Sequence, residues 1–226
     1  MEFNRDTRHQ GRRRADGTLH VLPSMNHTQQ MNKVILDLCG GTGAWSKPYK
    51  DNGYEIRIID FKEWSKIDSA GDIRLFKRIK EPVYGILAAP PCTHFAGSGA
   101  RWWKDKGVEP LKDGLSVVDA VFRIVSVHHP KFWVLENPVG RLIHYIGKPK
   151  HIFNPCDYGD PYTKKTCLWG EFNIPKRNEV IPVHGCDPIH NPRKNGKKLG
   201  WNTIETKRLR SITPPGFAKA FYEANK

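Results

Sequence analysis

No apolar run in the 226-residue sequence approaches the roughly 18 residues that a membrane-spanning helix requires. The polar opening MEFNRDTRHQGRRRADG has no apolar segment behind it, so a secretory signal is not expected either. Cysteine is sparse. Cys39, Cys92, Cys156, Cys167 and Cys186 are odd in number and lack close pairs, which argues against a disulfide framework and fits a reducing compartment. No metal is expected, because His184, Cys186 and His190 have neither a fourth ligand nor finger spacing. Internal repeats are absent. The expectation is therefore a cytoplasmic, non-membrane protein, monomeric but able to meet a partner protein.

Acidic residues are also in short supply. Lys and Arg number 37 against 23 Asp and Glu, a formal charge of +14, while 38% hydrophobic content is that of a folded chain. Such an excess draws polyanions, of which DNA or RNA is the obvious one, although a basic surface can serve solubility alone. The length suits one domain with additions. Residues 1–32, with Arg12, Arg13 and Arg14, read as a flexible basic arm.

Order begins at KVILDLCGGTG. Val34, Ile35 and Leu36 predict a strand, Trp45 to Asp51 a short helix despite Pro48, and Glu55 to Ile59 a second strand. Ile86 and Leu87 predict a third strand and Phe132 to Leu135 a fourth. Residues 111–129 between them carry apolar positions at the helical period and predict a crossover helix. This is an α/β fold with a doubly wound, mostly parallel sheet, in which ligands bind beyond the strands' carboxyl ends. Residues 152–170 suggest a hairpin-like section. Residues 171–207, rich in proline and carrying PRKNGKKLG, read as a small irregular insert or a solvated connector. Phe217 to Ala224 form a proline-initiated terminal helix. The expected divisions are an arm at 1–32, a catalytic domain at 33–170, the insert at 171–207 and a terminal segment at 208–226.

Several residues at these strand ends can carry chemistry. The loop Cys39-Gly40-Gly41-Thr42-Gly43 follows the first strand, but it lacks both the Lys-Ser/Thr ending of a P-loop and GxGxxG spacing, so a ligand other than a dinucleotide is preferred. Asp60 could accept from a ribose diol or merely cap a turn. Asp72, beside Ile73, could meet an exocyclic amine of adenine. Cys92 follows the rigid Pro90-Pro91 turn and could act as a nucleophile, given a lowered pKa or a base. The following stretch, with Thr93, Arg101, Trp102, Trp103 and Lys104, could close over a substrate or pack on the sheet. Glu136-Asn137-Pro138 ends the fourth strand, where Pro138 is expected to force an exit, and would set a carboxyl facing Cys92.

DLCGGTG, Asp60, GDI at 71–73, APPCTHFAGSG, VLENPVG at 134–140, YGDPYTKK at 158–165 and TPPGFAKAF at 213–221 occur in an order and spacing that resembles the DNA cytosine carbon-5 methyltransferases. The resemblance covers roughly residues 33–170 and 209–224. It implies the S-adenosyl-L-methionine-dependent methyltransferase fold and methylation of cytosine in double-stranded DNA, in a bacterial or viral restriction-modification setting. It further implies that Cys92 attacks carbon 6 of a flipped cytosine while Glu136 favours ring protonation, Asn137 orients Glu136 and braces the cysteine loop, and Lys164 supplies charge. Asp37, Cys39, Gly40, Gly41, Thr42, Gly43, Asp60, Asp72, Ile73 and Pro90 would line the cofactor site. Thr93, Arg101, Trp102, Trp103, Lys104, Lys194, Lys197 and Lys198 would meet DNA. The chain departs from the family in having Tyr162, Lys164 and Thr166 where a glutamine and two arginines are usual, and in its short recognition region. These departures leave a noncatalytic DNA-binding homologue or an RNA cytosine methyltransferase as alternatives.

Overall fold

Every residue of β1 (Val34–Leu38) is buried, the signature of a central strand covered on both faces. The computed structural model describes residues 33–61, 69–183, 192–200 and 203–226. The basic arm expected at 1–32 and the His184, Cys186 and His190 group lie outside the described residues. In chain order the elements are β1, α1 (Lys47–Asp51), β2 (Glu55–Asp60), β3 (Ser69–Ala70), β4 (Val83–Ala88), α2 (Trp103–Lys106), α3 (Glu109–His128), β5 (Phe132–Pro138), α4 (Ile143–Ile146), β6 (His151–Phe153) and β7 (Thr166–Glu171). A two-stranded hairpin, β8 (Arg193–Lys194) and β9 (Lys197–Lys198), then precedes α5 (Ile204–Ser211) and α6 (Pro215–Asn225). The described residues belong to one compact unit.

Seven strands pair in the order β3-β2-β1-β4-β5-β7-β6. The pairs from β3 to β5 are parallel, and β7 runs antiparallel to both β5 and β6. The chain winds outward from β1 in one direction and from β4 in the other. The β1–β4 boundary is thus the topological switch point, the place where open α/β sheets receive ligands beyond the strands' carboxyl ends.

Period-two alternation builds two cores. Leu36 and Leu38 of β1, Ile86 and Ala88 of β4 and Leu135 of β5 pack with Val117, Val118, Val121 and Ile124 of the crossover helix α3. Ile35, Leu87 and Val134 point the other way, toward Trp45, Tyr49, Phe217 and Phe221 of α1, α6 and their approaches. This parity also sorts the polar residues: Asp37 falls on the α6 side with Ile35, and Glu136 falls there with Val134.

The structure departs from the sequence reading in specific places. The fourth strand runs past the Leu135 expected and ends at Pro138, as that proline suggested; Pro138 pairs with Thr166 of β7, while β4 pairing stops at Leu135. Beyond Leu135 the β4 side of β5 is an edge, where a residue without an N–H is tolerated. The helix expected from Trp45 begins only at Lys47, because Trp45 is drawn into the aromatic core, with ring centroids 5.8 Å from Phe217 and 5.6 Å from Phe221. The basic run is a hairpin whose Asn195 and Gly196 both take positive φ, the two-residue turn that Asn-Gly favours. α5, capped by Thr203 accepting from the Thr206 N–H at 3.1 Å, runs through the boundary expected at 207/208.

Phe221 lies fully buried among Trp45, Phe132, Phe172 and Phe217. Phe221→Ala is expected to cost about 3–5 kcal/mol in urea unfolding. Ile181→Ala, at an 86% exposed position, should stay within about 0.5 kcal/mol of wild type.

Candidate active site

The loop after β1 is built around Asp37. Its carboxylate is buried and accepts from the Ser46 hydroxyl at 2.5 Å, while Oδ1 has no hydrogen-bond partner. A Cβ at position 40 would lie 2.3 Å from Asp37 Cγ, so only glycine lets the chain pass there. Gly41 and Gly43 adopt φ of 57° and 68°, and Cys39 also enters the left-handed region at 56°, a strained choice for a residue with a side chain. Two short bonds fix the loop on β2: Cys39 N–H donates to Ile59 O at 2.7 Å and Gly41 N–H to Asp60 Oδ2 at 2.9 Å. Thr42 Oγ1 and Trp45 Nε1 are likewise buried without partners. Buried polar atoms are rarely left unmade, so three in one glycine-shaped loop fit a ligand with both donors and acceptors, as an amino-acid-bearing cofactor has. Burial pushes the Asp37 carboxyl up to about 6, against a partial lowering by Ser46.

The cysteine loop leaves β4 two strands away from Asp60. Asn137, fully buried in β5, donates from Nδ2 to Pro90 O at 2.9 Å. Gly97 N–H donates to Val139 O and Arg141 N–H to Phe95 O, both at 2.9 Å, and Arg141 Nε donates to His94 O at 2.7 Å. A Cβ on Gly140 would stand 1.9 Å from Phe95 O, so this close approach requires glycine. Cys92 sits between the Pro90 and His94 anchors, solvent-accessible and outside any disulfide; its carbonyl accepts from Phe95 and Ala96 N–H groups at 2.9 Å.

Glu136 follows Leu135, the register partner of Ala88, so it lies level with the start of the cysteine loop. Its side chain is 20% exposed, with Lys164 Nζ 3.9 Å from Oε1. Burial raises the Glu136 carboxyl above its ordinary range, and Lys164 only partly opposes the rise. Lys164 also donates to Arg210 O at 3.4 Å, near the end of α5. Thr166 is buried and donates to Lys164 O at 2.8 Å, so this position braces the lysine's backbone.

The remaining expected residues distribute as follows. Asp72 caps the turn Ile73–Leu75 and forms a close pair with Arg74, which also contacts Asp113 at 2.6 Å; the pairing with Arg74 holds Asp72 below the usual carboxylate range. Ile73 belongs to the α3-side core. Thr93, Arg101, Trp102 and Lys104 are exposed, with the Arg101 guanidinium 5.0 Å from the Trp102 ring centre. Trp103 is half-buried under Arg141, at 4.5 Å. Lys194, Lys197 and Lys198 are exposed on the hairpin, distant in sequence from the sheet edge, and Lys194 pairs with Glu205 of α5 at 3.5 Å. Sequence reasoning missed Ser46, Arg141 and the Arg210 carbonyl. Only Arg141, three residues beyond Pro138, stood close enough to a recognised segment to be found. Concavities of about 270 Å³ at the sheet's amino edge and about 290 Å³ between α1 and α6 are lined by neither Cys92 nor Glu136.

Over its matched region the chain is 28% identical to M.DdeI of Desulfomicrobium norvegicum; the match takes in 58% of this chain and 38% of that protein. The sequence relative is a type II methyltransferase. No protein-family model matches the chain. Among solved structures, an E. coli prophage-encoded protein provisionally described as a DNA modification methyltransferase is 17% identical, with TM-score 0.46, over 70% of this chain and 55% of that one. A Pyrococcus horikoshii protein is 17% identical with TM-score 0.33, over 57% and 60% of the two chains. The strand order, rather than either neighbour, carries the fold assignment. No described helix is long and apolar enough to cross a membrane.

A carboxyl held near 6 instead of 3.8 makes the native state bind more protons than the unfolded chain between those values. Asp37 therefore stabilises the fold least at neutral pH, and its contribution falls by up to about 3 kcal/mol as pH rises from 3 to 7. The difference in urea-unfolding free energy between wild type and Asp37→Asn should move in the variant's favour across that range. A difference constant with pH would contradict the assignment.

Proposed function

We propose that the chain is an S-adenosylmethionine-dependent DNA cytosine carbon-5 methyltransferase. The observation that carries the reading is the clasp that fixes the Pro90–Phe95 loop, with an accessible Cys92, onto the strand bearing Glu136, beside the Asp37–Gly43 loop. The type II methyltransferase relative supports the same class, although the chain spans well under half of that protein's length.

The Cys92 thiolate adds to carbon 6 of an extruded cytosine, forming a carbon–sulfur bond and moving the ring's electron pair toward nitrogen 3. Glu136 is suited to deliver a proton there, because burial raises its carboxyl and so favours the acid form. Carbon 5 becomes the nucleophile. The cofactor, when held by Asp37, Gly40–Gly43 and Asp60, would supply an electrophilic methyl group. Loss of the carbon-5 proton to a base then expels Cys92 as thiolate, and the proton on nitrogen 3 returns to Glu136. Asn137 holds the cysteine loop, and Lys164 lowers the Glu136 carboxyl and steadies charge. Arg101, Trp102, Lys104 and the hairpin lysines contact phosphates and bases of duplex DNA. The setting is a bacterial or virus-infected bacterial cytoplasm, with restriction-modification as the role.

Tritiated methyl transfer to unmethylated duplex DNA, followed by nucleoside analysis, should yield 5-methylcytosine, with RNA a poor substrate and Cys92→Ser lowering the rate by roughly 10³-fold or more. Retained cofactor binding without transfer to either nucleic acid would instead mark a noncatalytic DNA-binding homologue. Because Glu136 acts as its acid form, the rate should fall as pH rises through its pKa. Lys164→Met should move that fall to higher pH; movement to lower pH would contradict the role.

A further inference from the structure

Arg141 makes contacts with two segments on which the proposed chemistry depends. Its backbone N–H donates to Phe95 O at 2.9 Å and its Nε donates to His94 O at 2.7 Å, gripping the cysteine loop two and three residues past Cys92. Phe95 N–H donates in turn to Cys92 O, so the grip reaches the nucleophile's own peptide through one further bond. The guanidinium meanwhile lies 4.5 Å from the Trp103 ring centre, inside the range of a cation–π contact. The Trp103 indole N–H is buried without a hydrogen-bond partner, so the ring is held by packing and by Arg141. Asn137 secures only the Pro90 side of the loop.

We infer that Arg141 is a positioning residue that couples the cysteine loop to the Arg101–Lys104 segment, so that the aim of the thiol and the placement of that segment on substrate are set together. This rests on the methyltransferase reading above. Lysine cannot replace it, because a single ammonium on a flexible stem cannot both donate to His94 O and spread a planar cation over the indole. A displacement of the thiol by about 1 Å is worth on the order of 10²-fold in rate, which sets the scale expected of its removal.

The test joins kinetics with hydrogen exchange. Arg141→Ala should lower the single-turnover methylation rate 30- to 100-fold per active site, by order of magnitude, with active sites counted by trapping on 5-fluorocytosine duplex DNA and cofactor affinity within about twofold. Arg141→Lys should not restore the rate. Trp103→Ala should add little in the Arg141→Ala background, since coupled residues do not add. Amide exchange should accelerate across residues 92–106 in Arg141→Ala and stay unchanged in β1 and β4. A purely structural role would lower the melting temperature and the number of active sites while leaving the rate per site intact, and that result overturns the inference. Unchanged exchange across 92–106, or additive losses with Trp103→Ala, overturns it too. If wild type makes no 5-methylcytosine yet the exchange pattern appears, the methyltransferase reading fails while the coupling stands.

Discussion

The side-chain amide of Asn137, donating across 2.9 Å to the carbonyl of Pro90, joins two neighbouring parallel strands beyond the point where their own ladder stops. Main-chain pairing of β4 with β5 ends at Ala88 and Leu135, and without a replacement the loop after β4 would be free to leave the sheet. The backbone bonds of Gly97 and Arg141 and the bare Cα of Gly140 extend the connection along the loop. The loop carrying Cys92 and the strand carrying Glu136 are thereby joined at the sheet's carboxyl edge. An amide in a dry setting can hold such a loop because both partners lose water only once, on folding, and find each other there.

Two carboxylates, Asp37 buried and Glu136 half-buried, show how the same desolvation serves different ends. Asp37 and Glu136 lie on the same side of the sheet by strand parity, and burial raises both. Asp37 is backed by a hydroxyl and keeps one oxygen unpartnered. Glu136 is partly open and faces an ammonium at 3.9 Å, which opposes the rise without cancelling it. Stability is sacrificed at both positions, as expected where a fold keeps polar groups ready for a ligand or a reaction.

Much of this arrangement was legible in the sequence because it depends on local patterns. The apolar run Val34–Leu36 and the helical period of 111–129 pointed to the central strand and its crossover, and the glycine-rich stretch after the strand marked a loop, in which Gly41 and Gly43 take positive φ. What escaped depends on partners remote in sequence. The β7 ladder that carries β5 past Leu135 to Pro138, the aromatic pocket that draws Trp45 out of α1, and the grip of Arg141 on a loop 46 and 47 residues earlier are consequences of packing. Asn195-Gly196 was a local turn signal hidden in a run of charge.

The central claim is that Cys92, fixed beside Glu136 at the sheet's carboxyl edge, forms a covalent bond to cytosine. Duplex DNA containing 5-fluorocytosine, incubated with the protein and S-adenosylmethionine, blocks loss of the carbon-5 substituent and should retain the adduct through denaturation. Mass spectrometry of the digested complex should then find the nucleotide on the peptide carrying Cys92, with no adduct in Cys92→Ala. Methylation of cytosine without an adduct, or an adduct on another cysteine, would contradict the account.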